Sequence, residues 1–419
     1  MPRTRTTTVR DLRNSNRARA LWELYLNGPL TRQEVGTAAG VSPATVSNLI
    51  GELLEQGVVI EVGLEDSNGG RPRGVLQVNP EYGFVIGVDV GETAFLVELF
   101  DLNMRVRASH VSTTEVARLE PEDAVAHVLE GIESVLEQSG VGREQILGVG
   151  VGVPGLVEHG EDAVVHGQSV GWDAVPFGAM LRRGLSLPLL IDNGAKTLGQ
   201  AEKWFGAARA CDDAVIVLLG IGVGTCIISN GELYRGATSS AGEWGHTTVM
   251  VDGRPCRCGA LGCLEAYVGA GAIVARYDEL KRRRVTVKPH ELEDRVAAIV
   301  RAGSTDKSAA RVLNETATYL GAGIADLVNL FNPERVVVGG WLGQLLGDSL
   351  LPQIHQAAAR HALRLPFSHV SILKAQLGKD AVALGAATLP IASVLSSGAV
   401  AAEQKPARPR LPDLGRATG

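Results

Sequence analysis

No apolar run in the 419-residue sequence approaches the roughly 20 residues that span a bilayer, and the amino terminus, MPRTRTTTVR, lacks the apolar core of a secretory signal. Both absences point to a cytoplasmic protein. Aromatic residues are scarce, at 4%, while 45% of the residues are hydrophobic and 51 are glycine; this excludes a fibrous or disordered chain and indicates a soluble α/β protein. Cysteine is rare too. The five are an odd number, and three of them cluster, which in a reducing compartment favours a metal over disulfides. A net charge of −6 argues against a chain coated in nucleic acid. The charge is uneven, however: Arg3, Arg5, Arg10, Arg13, Arg17 and Arg19 face only Asp11 and Glu23. That stretch is either a contact for phosphates or a solvated tail.

At roughly 100–200 residues per domain, the length predicts two to four domains. Residues 1–15 read as a flexible basic N-terminus and 16–80 as a helical module closed by a hairpin. Residues 84–205 and 206–379 read as two α/β lobes, the first with a return helix near 380–392, and 393–419 as a disordered tail. In the helical module Leu21, Leu24, Tyr25 and Leu26 give one helix face, ended by Gly28-Pro29. Thr31 caps a second helix reaching Ala39, Gly40 turns the chain, and Ser42 caps a third helix to about Gln56 with Pro43 in its first turn. Beyond Asn79-Pro80 the pattern becomes apolar strands separated by glycines and amphipathic helices. Val85–Val90, a glycine turn and Ala94–Phe100 are loosely repeated from Val215 to the Asn230-Gly231 hairpin, which suggests two related lobes with a cleft between them.

The segment LTRQEVGTAAGVSPATVSNLI, residues 30–50, has the helix, glycine turn and capped helix of a helix-turn-helix, whose last helix enters a major groove. Thr31, Ser42, Ala44, Thr45, Ser47 and Asn48 are the candidate DNA contacts, being small or amide-bearing, while Val46, Leu49 and Ile50 should face the core. Val58–Val62 and Val75–Val78 then flank Asn68-Gly69-Gly70-Arg71-Pro72-Arg73 as a hairpin. Its tip reads as a wing carrying Arg71 and Arg73 towards a minor groove.

His246, Cys256, Cys258 and Cys263 lie within one glycine-rich segment. One imidazole and three thiolates make a Cys3His set, which closes a tetrahedral structural zinc site and leaves no open position for chemistry. Cys211 and Cys226 fall outside it and read as small core residues.

Gly242-Glu243-Trp244-Gly245-His246, followed by Cys256, Cys258, Cys263, Leu264 and Glu265, resembles the signature of the ROK family. Val153-Pro154-Gly155, Asn332-Pro333-Glu334 and Gly339-Gly340 are similar to other landmarks of that family. The resemblance covers nearly the whole chain, and the winged N-terminus is similar to the repressor branch typified by xylose and N-acetylglucosamine regulators. It implies a winged helix-turn-helix fused to a two-lobed, actin-like (ribonuclease H-like) body. It also implies sugar contacts at Asn193, Glu243, His246 and Glu265, with zinc fixing the loop that presents them.

The departures from the family pattern concern catalysis. ROK kinases carry an aspartate base directly after the asparagine, where this chain has Gly194, and loss of a general base costs roughly 10²–10⁴-fold in rate. Glu92 stands where kinases have a second glycine, and Ile221 replaces a threonine in the other glycine turn. Lys196 replaces an asparagine and is either a phosphate partner for an anionic sugar or a solvent-facing helix residue. The expectation is therefore a regulator and not an enzyme. A homodimer, possibly a tetramer, would read an inverted repeat in double-stranded DNA and would respond to a sugar or sugar phosphate in the cleft. The alternatives are an ATP-dependent sugar kinase with an appended DNA module, and a ligand-blind regulator that uses its body for dimerisation or docking.

Overall fold

The first helix starts before its apolar stripe does. In the computed structural model, which describes residues 9–65, 72–114, 119–160, 162–283 and 287–399, α1 spans Val9–Asn27, so residues 9–15 are helical where a flexible terminus was expected. Long-range pairing holds it there. Arg13 bonds to Glu52, while Arg17, only 6% exposed, bonds to Gln56 and to the Gly398 carbonyl. Two of the arginines that read as a free basic tail are thus tied down.

The chain separates into two units, residues 1–79 with 392–419, and residues 80–391. In the first, α1 is followed by β1 (Leu30–Thr31), α2 (Arg32–Ala38), α3 (Pro43–Glu55), β2 (Val59–Glu65) and β3 (Arg73–Val78), with the sheet ordered β1-β3-β2. Thr31 and Glu34 form a reciprocal capping box on α2, and Ser42 caps α3 ahead of Pro43. Leu21, Leu24, Val35, Val46, Leu49, Ile50, Leu53 and Leu76 are buried between these elements. Each such side chain contributes roughly 1.5–3 kcal/mol.

The second unit opens with β4 (Phe84–Val90), β5 (Ala94–Asp101), β6 (Val106–Thr113), α4 (Pro121–Ser139) and β7 (Ile146–Val153). The short strands β8 (Leu156–Glu158), β9 (Val164–Gly167) and β10 (Trp172–Val175) form a side sheet; α5 (Phe177–Arg182), β11 (Leu189–Asn193) and α6 (Gly194–Phe205) follow. The main sheet of this lobe runs β11-β7-β4-β5-β6, with β7 parallel to β4 and β11. Lobe 2 contains β12 (Ala214–Leu219), β13 (Val223–Ser229), β14 (Glu232–Leu233), α7 (Glu265–Val268), α8 (Ala270–Leu280), α9 (Leu292–Arg301), α10 (Lys307–Phe331), β15 (Arg335–Gly339), α11 (Gly340–His361), α12 (Arg364–His369) and β16 (Ser371–Lys374). Its sheet runs β14-β13-β12-β15-β16.

Both sheets begin with the repeated unit: β4 pairs antiparallel with β5, and β12 with β13. The second strand-turn-strand repeat ends at Asn230-Gly231, whose φ values of 52° and 77° suit a two-residue hairpin turn. Val88, Val97, Val149 and Val151 pack under α4 through Val128, Ile132 and Val135. Val215, Val217, Val336 and Val338 pack under α10 and α11 through Leu320, Ile324, Leu342 and Leu346.

Two helices lie between the sheets. The last, α13 (Ala381–Ser396), rests on lobe 1 so closely that a Cβ on Gly150 would stand 1.8 Å from the Ala386 carbonyl. It also touches α6, where a Cβ on Gly385 would stand 1.8 Å from the Thr197 carbonyl. Leu198 of α6 in turn packs with Ile216, Cys226 and Ile228 of lobe 2. Ala381 and Val382 of α13 join the same cluster, so a helix read as the end of lobe 1 packs on both lobes. The helix and its closing turn continue to Ala399, with Leu395 and Ala399 buried, so residues 393–399 are ordered where a tail was expected.

Candidate metal centre, cleft and nucleic-acid interface

The cap of α3 decides what that helix presents. Ser42 Oγ accepts the Thr45 backbone N–H (3.3 Å) and lies 2.8 Å from Thr45 Oγ1. With Val46, Leu49 and Ile50 turned into the core, Ser42, Ala44, Ser47 and Asn48 are exposed on the opposite face and Thr45 is half-exposed. Thr31 does not join them. It is 2% exposed, and its hydroxyl both accepts from the Glu34 N–H and donates to Glu34 Oε2 at 2.9 Å, so it shapes α2 from within. Arg73 is exposed at the start of β3, opposite Glu65; Arg71 lies outside the described residues.

His246 ends a short 3-10 turn, Trp244–His246, held over the lobe 2 core by the Trp244 indole N–H donating to the Gly323 carbonyl at 3.1 Å. The chain then folds back on itself through the bridges Thr248 to Cys263 and Pro255 to Leu261. The ligand atoms of His246, Cys256, Cys258 and Cys263 all lie within 4.8 Å of one another, and no cysteine is in a disulfide. Cys256 Sγ is 3.6 Å from His246 Nδ1, and Cys258 Sγ is 3.7 Å from Cys263 Sγ. A tetrahedral ion with bonds of about 2.3 Å to sulfur and about 2.0 Å to nitrogen requires separations of about 3.5–3.8 Å. The donor set and its spacing fit a metal.

Two of the sugar-contact candidates, Glu243 and Glu265, flank the metal loop, the first half-buried and the second buried. Glu243 immediately precedes the 3-10 turn; burial raises its pKa, with His246 and Lys196 acting in the opposite sense. Glu265, at the start of α7, is buried and accepts the Val223 N–H through Oε2 (3.0 Å) and Arg257 through Oε1 (3.3 Å). Asn193 is committed elsewhere. Its Oδ1 caps α6 by accepting from the Ala195 and Lys196 N–H groups, and its Nδ2 donates to the Gly155 carbonyl at 2.6 Å.

Lys196 is 3% exposed, which corrects the solvent-facing alternative: the loop after β14 folds over α6, and Nζ donates to the Ser239 carbonyl at 2.6 Å. Burial lowers its pKa, with Asp192 and Glu243 opposing the shift. Asp192, 2% exposed, accepts from Arg235 at 2.6 Å. His159 approaches the same carboxylate at 3.7 Å and Ser239 Oγ at 3.1 Å. Gly194, the position the family resemblance equates with a kinase base, has room: an added Cβ would meet only ordinary van der Waals neighbours. Sequence reasoning missed His159, Arg235 and Arg257. For Arg257 a signal existed, a cation set between two candidate ligands; for the other two no local pattern marks them.

A ROK family model matches residues 85–392, and a MarR family model matches residues 13–71. The xylose repressor of Caldicellulosiruptor bescii is 30% identical over 390 residues, covering 92% of this chain and 97% of its own. Among solved structures, a ROK family transcriptional regulator described as a homologue of the E. coli MLC protein superposes with a TM-score of 0.76 at 23% identity, over 92% of this chain and 97% of that one. A ROK family glucokinase from Streptomyces griseus, in complex with glucose and AMPPNP, gives a TM-score of 0.63 at 28% identity and covers 73% of this chain and 99% of its own. The winged helix-turn-helix and the two-lobed sugar-kinase-like body therefore stand in one chain that a xylose repressor matches nearly end to end, and this chain belongs to the ROK family.

Proposed function

We propose that this protein is a DNA-binding transcriptional repressor of carbohydrate-metabolism genes, controlled by a sugar or sugar phosphate bound between its lobes. One observation carries the reading: the xylose repressor aligns across both modules, whereas the glucokinase structure covers 73% of this chain. In the proposal Ser42, Ala44, Thr45, Ser47 and Asn48 face base edges, Arg71 and Arg73 lie along the flanking groove, and a homodimer spans an inverted repeat. Thr31 acts indirectly, through the cap that orients α2 against α3. Glu243, His246 and Glu265 hold the effector's hydroxyls, and Asn193 positions α6 beneath it.

The metal we assign to His246, Cys256, Cys258 and Cys263 is zinc. When bound it supplies a structural cross-link and no reactive position. His246 serves both roles if Nδ1 faces the metal and Nε2 the sugar. Binding in the cleft biases the lobe arrangement by no more than the ligand's preference for one state, and that bias reaches DNA affinity. Selection of fragments from a genomic DNA pool, at fixed and stated salt, tests the reading. Enrichment of a palindromic site supports it, and no enrichment with or without sugars overturns it.

The glucokinase likeness favours a second reading, an ATP-dependent sugar kinase. Gly194 opposes it, as do the commitment of Asp192 to Arg235 and the carboxylate of Glu92 at a glycine turn. Turnover of ATP with any sugar in a panel would establish the kinase reading.

A further inference from the structure

The two repeated strand-turn-strand units bring their glycine turns together across the cleft. A Cβ placed on Gly222, in the β12–β13 turn, would stand 3.7 Å from Glu92 Oε1 of the β4–β5 turn, 3.6 Å from Glu265 Oε2 and 3.8 Å from Arg257 Nη2. The guanidinium of Arg257 is bonded from both sides. Nη1 donates to Glu92 Oε2 at 2.9 Å, while Nη2 donates to the Ile221 carbonyl at 3.2 Å and to Glu265 Oε1 at 3.3 Å. One carboxylate comes from lobe 1, and the other is the lobe 2 carboxylate assigned to the effector. Both acids are well buried, with side chains 16% and 8% exposed, so neither is satisfied by bulk water if the arginine leaves.

Nothing in the sugar-contact pattern or in the metal site requires an arginine here. Glu265 Oε2 accepts the Val223 N–H and Oε1 accepts the guanidinium, so a hydroxyl pairing with Glu265 through Oε1 shares that oxygen with Arg257. A planar fork that can bridge two carboxylates is the group suited to hold two lobes in one arrangement without a ligand.

We propose that Arg257 is a latch: it ties Glu92 of lobe 1 to Glu265 of lobe 2 in the ligand-free protein, and an effector sugar displaces it from Glu265. The first half stands on this geometry alone, while the second rests on the effector-site reading above. Release of the latch is the local event by which occupancy of Glu265 becomes a change in the lobe 1 turn. The Asp192–Arg235 pair and the Lys196–Ser239 bond clasp the lobes separately, so the change expected is local loosening of the two turns and not separation of the lobes.

Hydrogen exchange on the full-length, metal-loaded protein reads the first half directly. Glu92→Gln keeps the shape and removes the lobe 1 charge, and it lies outside the metal loop; Arg257→Ala is the companion, checked by its metal content. Exchange in peptides covering Gly91–Thr93 and Gly220–Val223 should rise at least tenfold in Glu92→Gln, with peptides of α10 unchanged. Unchanged exchange in both turns overturns the latch. The second half is read by titrating D-xylose, D-glucose and N-acetylglucosamine into wild type and Arg257→Ala. A sugar that binds wild type should bind the variant at least threefold more tightly, and equal affinity overturns displacement. If no sugar binds wild type, displacement falls together with the effector reading, while the exchange result still decides the latch.

Discussion

At the scale of single residues, the side chains that matter most are those whose atoms are already committed. Cys263 is fully buried in the metal loop, so Cys263→Ser should drop bound zinc from about one ion per chain to near zero and lower the melting temperature. Elemental analysis beside a melting curve checks this, and a chelator should reproduce it in wild type. Glu98 has one carboxylate oxygen without a partner, and burial, with Asp380 nearby, pushes its pKa up to about 7 from an ordinary 4.5. Between about pH 4.5 and about pH 7 the folded protein therefore holds a proton that the unfolded chain has lost. The Glu98 contribution to stability should fall as pH rises from about 4.5 through about 7, and Glu98→Gln should remove that slope. The gain at pH 8 should be about 1 kcal/mol once solvent screening is allowed for, measurable by denaturant unfolding of both proteins at pH 5 and pH 8. The residue types at the cleft and metal loop were legible in the sequence; their commitments were not. Thr31 and Asn193 are both absorbed by helix caps, and Lys196 is buried by a loop whose covering of α6 is a long-range event.

At the scale of elements, the cap, the proline and the buried face of α3 are all legible in the sequence because all three signals are local. That allows stability and recognition to be separated. Ser42→Ala removes the cap and should cost about 1 kcal/mol of stability in the N-terminal module as well as DNA affinity. Asn48→Ala changes an exposed residue and should leave unfolding within about 0.5 kcal/mol of wild type while weakening DNA binding. Parallel unfolding and DNA titrations check the contrast; equal effects on stability would remove the distinction. Where element boundaries went astray, the missing information was tertiary. Helix α1 is held from Val9 onward by pairs reaching Glu52 and Gln56, and the end of α13 is ordered through contacts such as Arg17 to Gly398.

At the scale of the whole molecule, the repeated strand-turn-strand unit and the glycine-rich cysteine segment were enough to expect two lobes and a metal loop. Pairing across the cleft was beyond them, because Arg257 meets Glu92, and Arg235 meets Asp192, only once both sheets are in place. In the proposed mechanism a sugar between the lobes is coupled to DNA affinity. This coupling is tested most directly by titrating the full-length protein onto its selected DNA fragment at one fixed salt concentration, with and without saturating D-xylose, D-glucose, N-acetylglucosamine or their 6-phosphates where these exist. A shift of about tenfold or more with one of these ligands, corresponding to about 1.4 kcal/mol of coupling, is expected. Tight DNA binding that none of them alters, with no thermal stabilisation by any of them, would contradict it and leave a regulator blind to sugar.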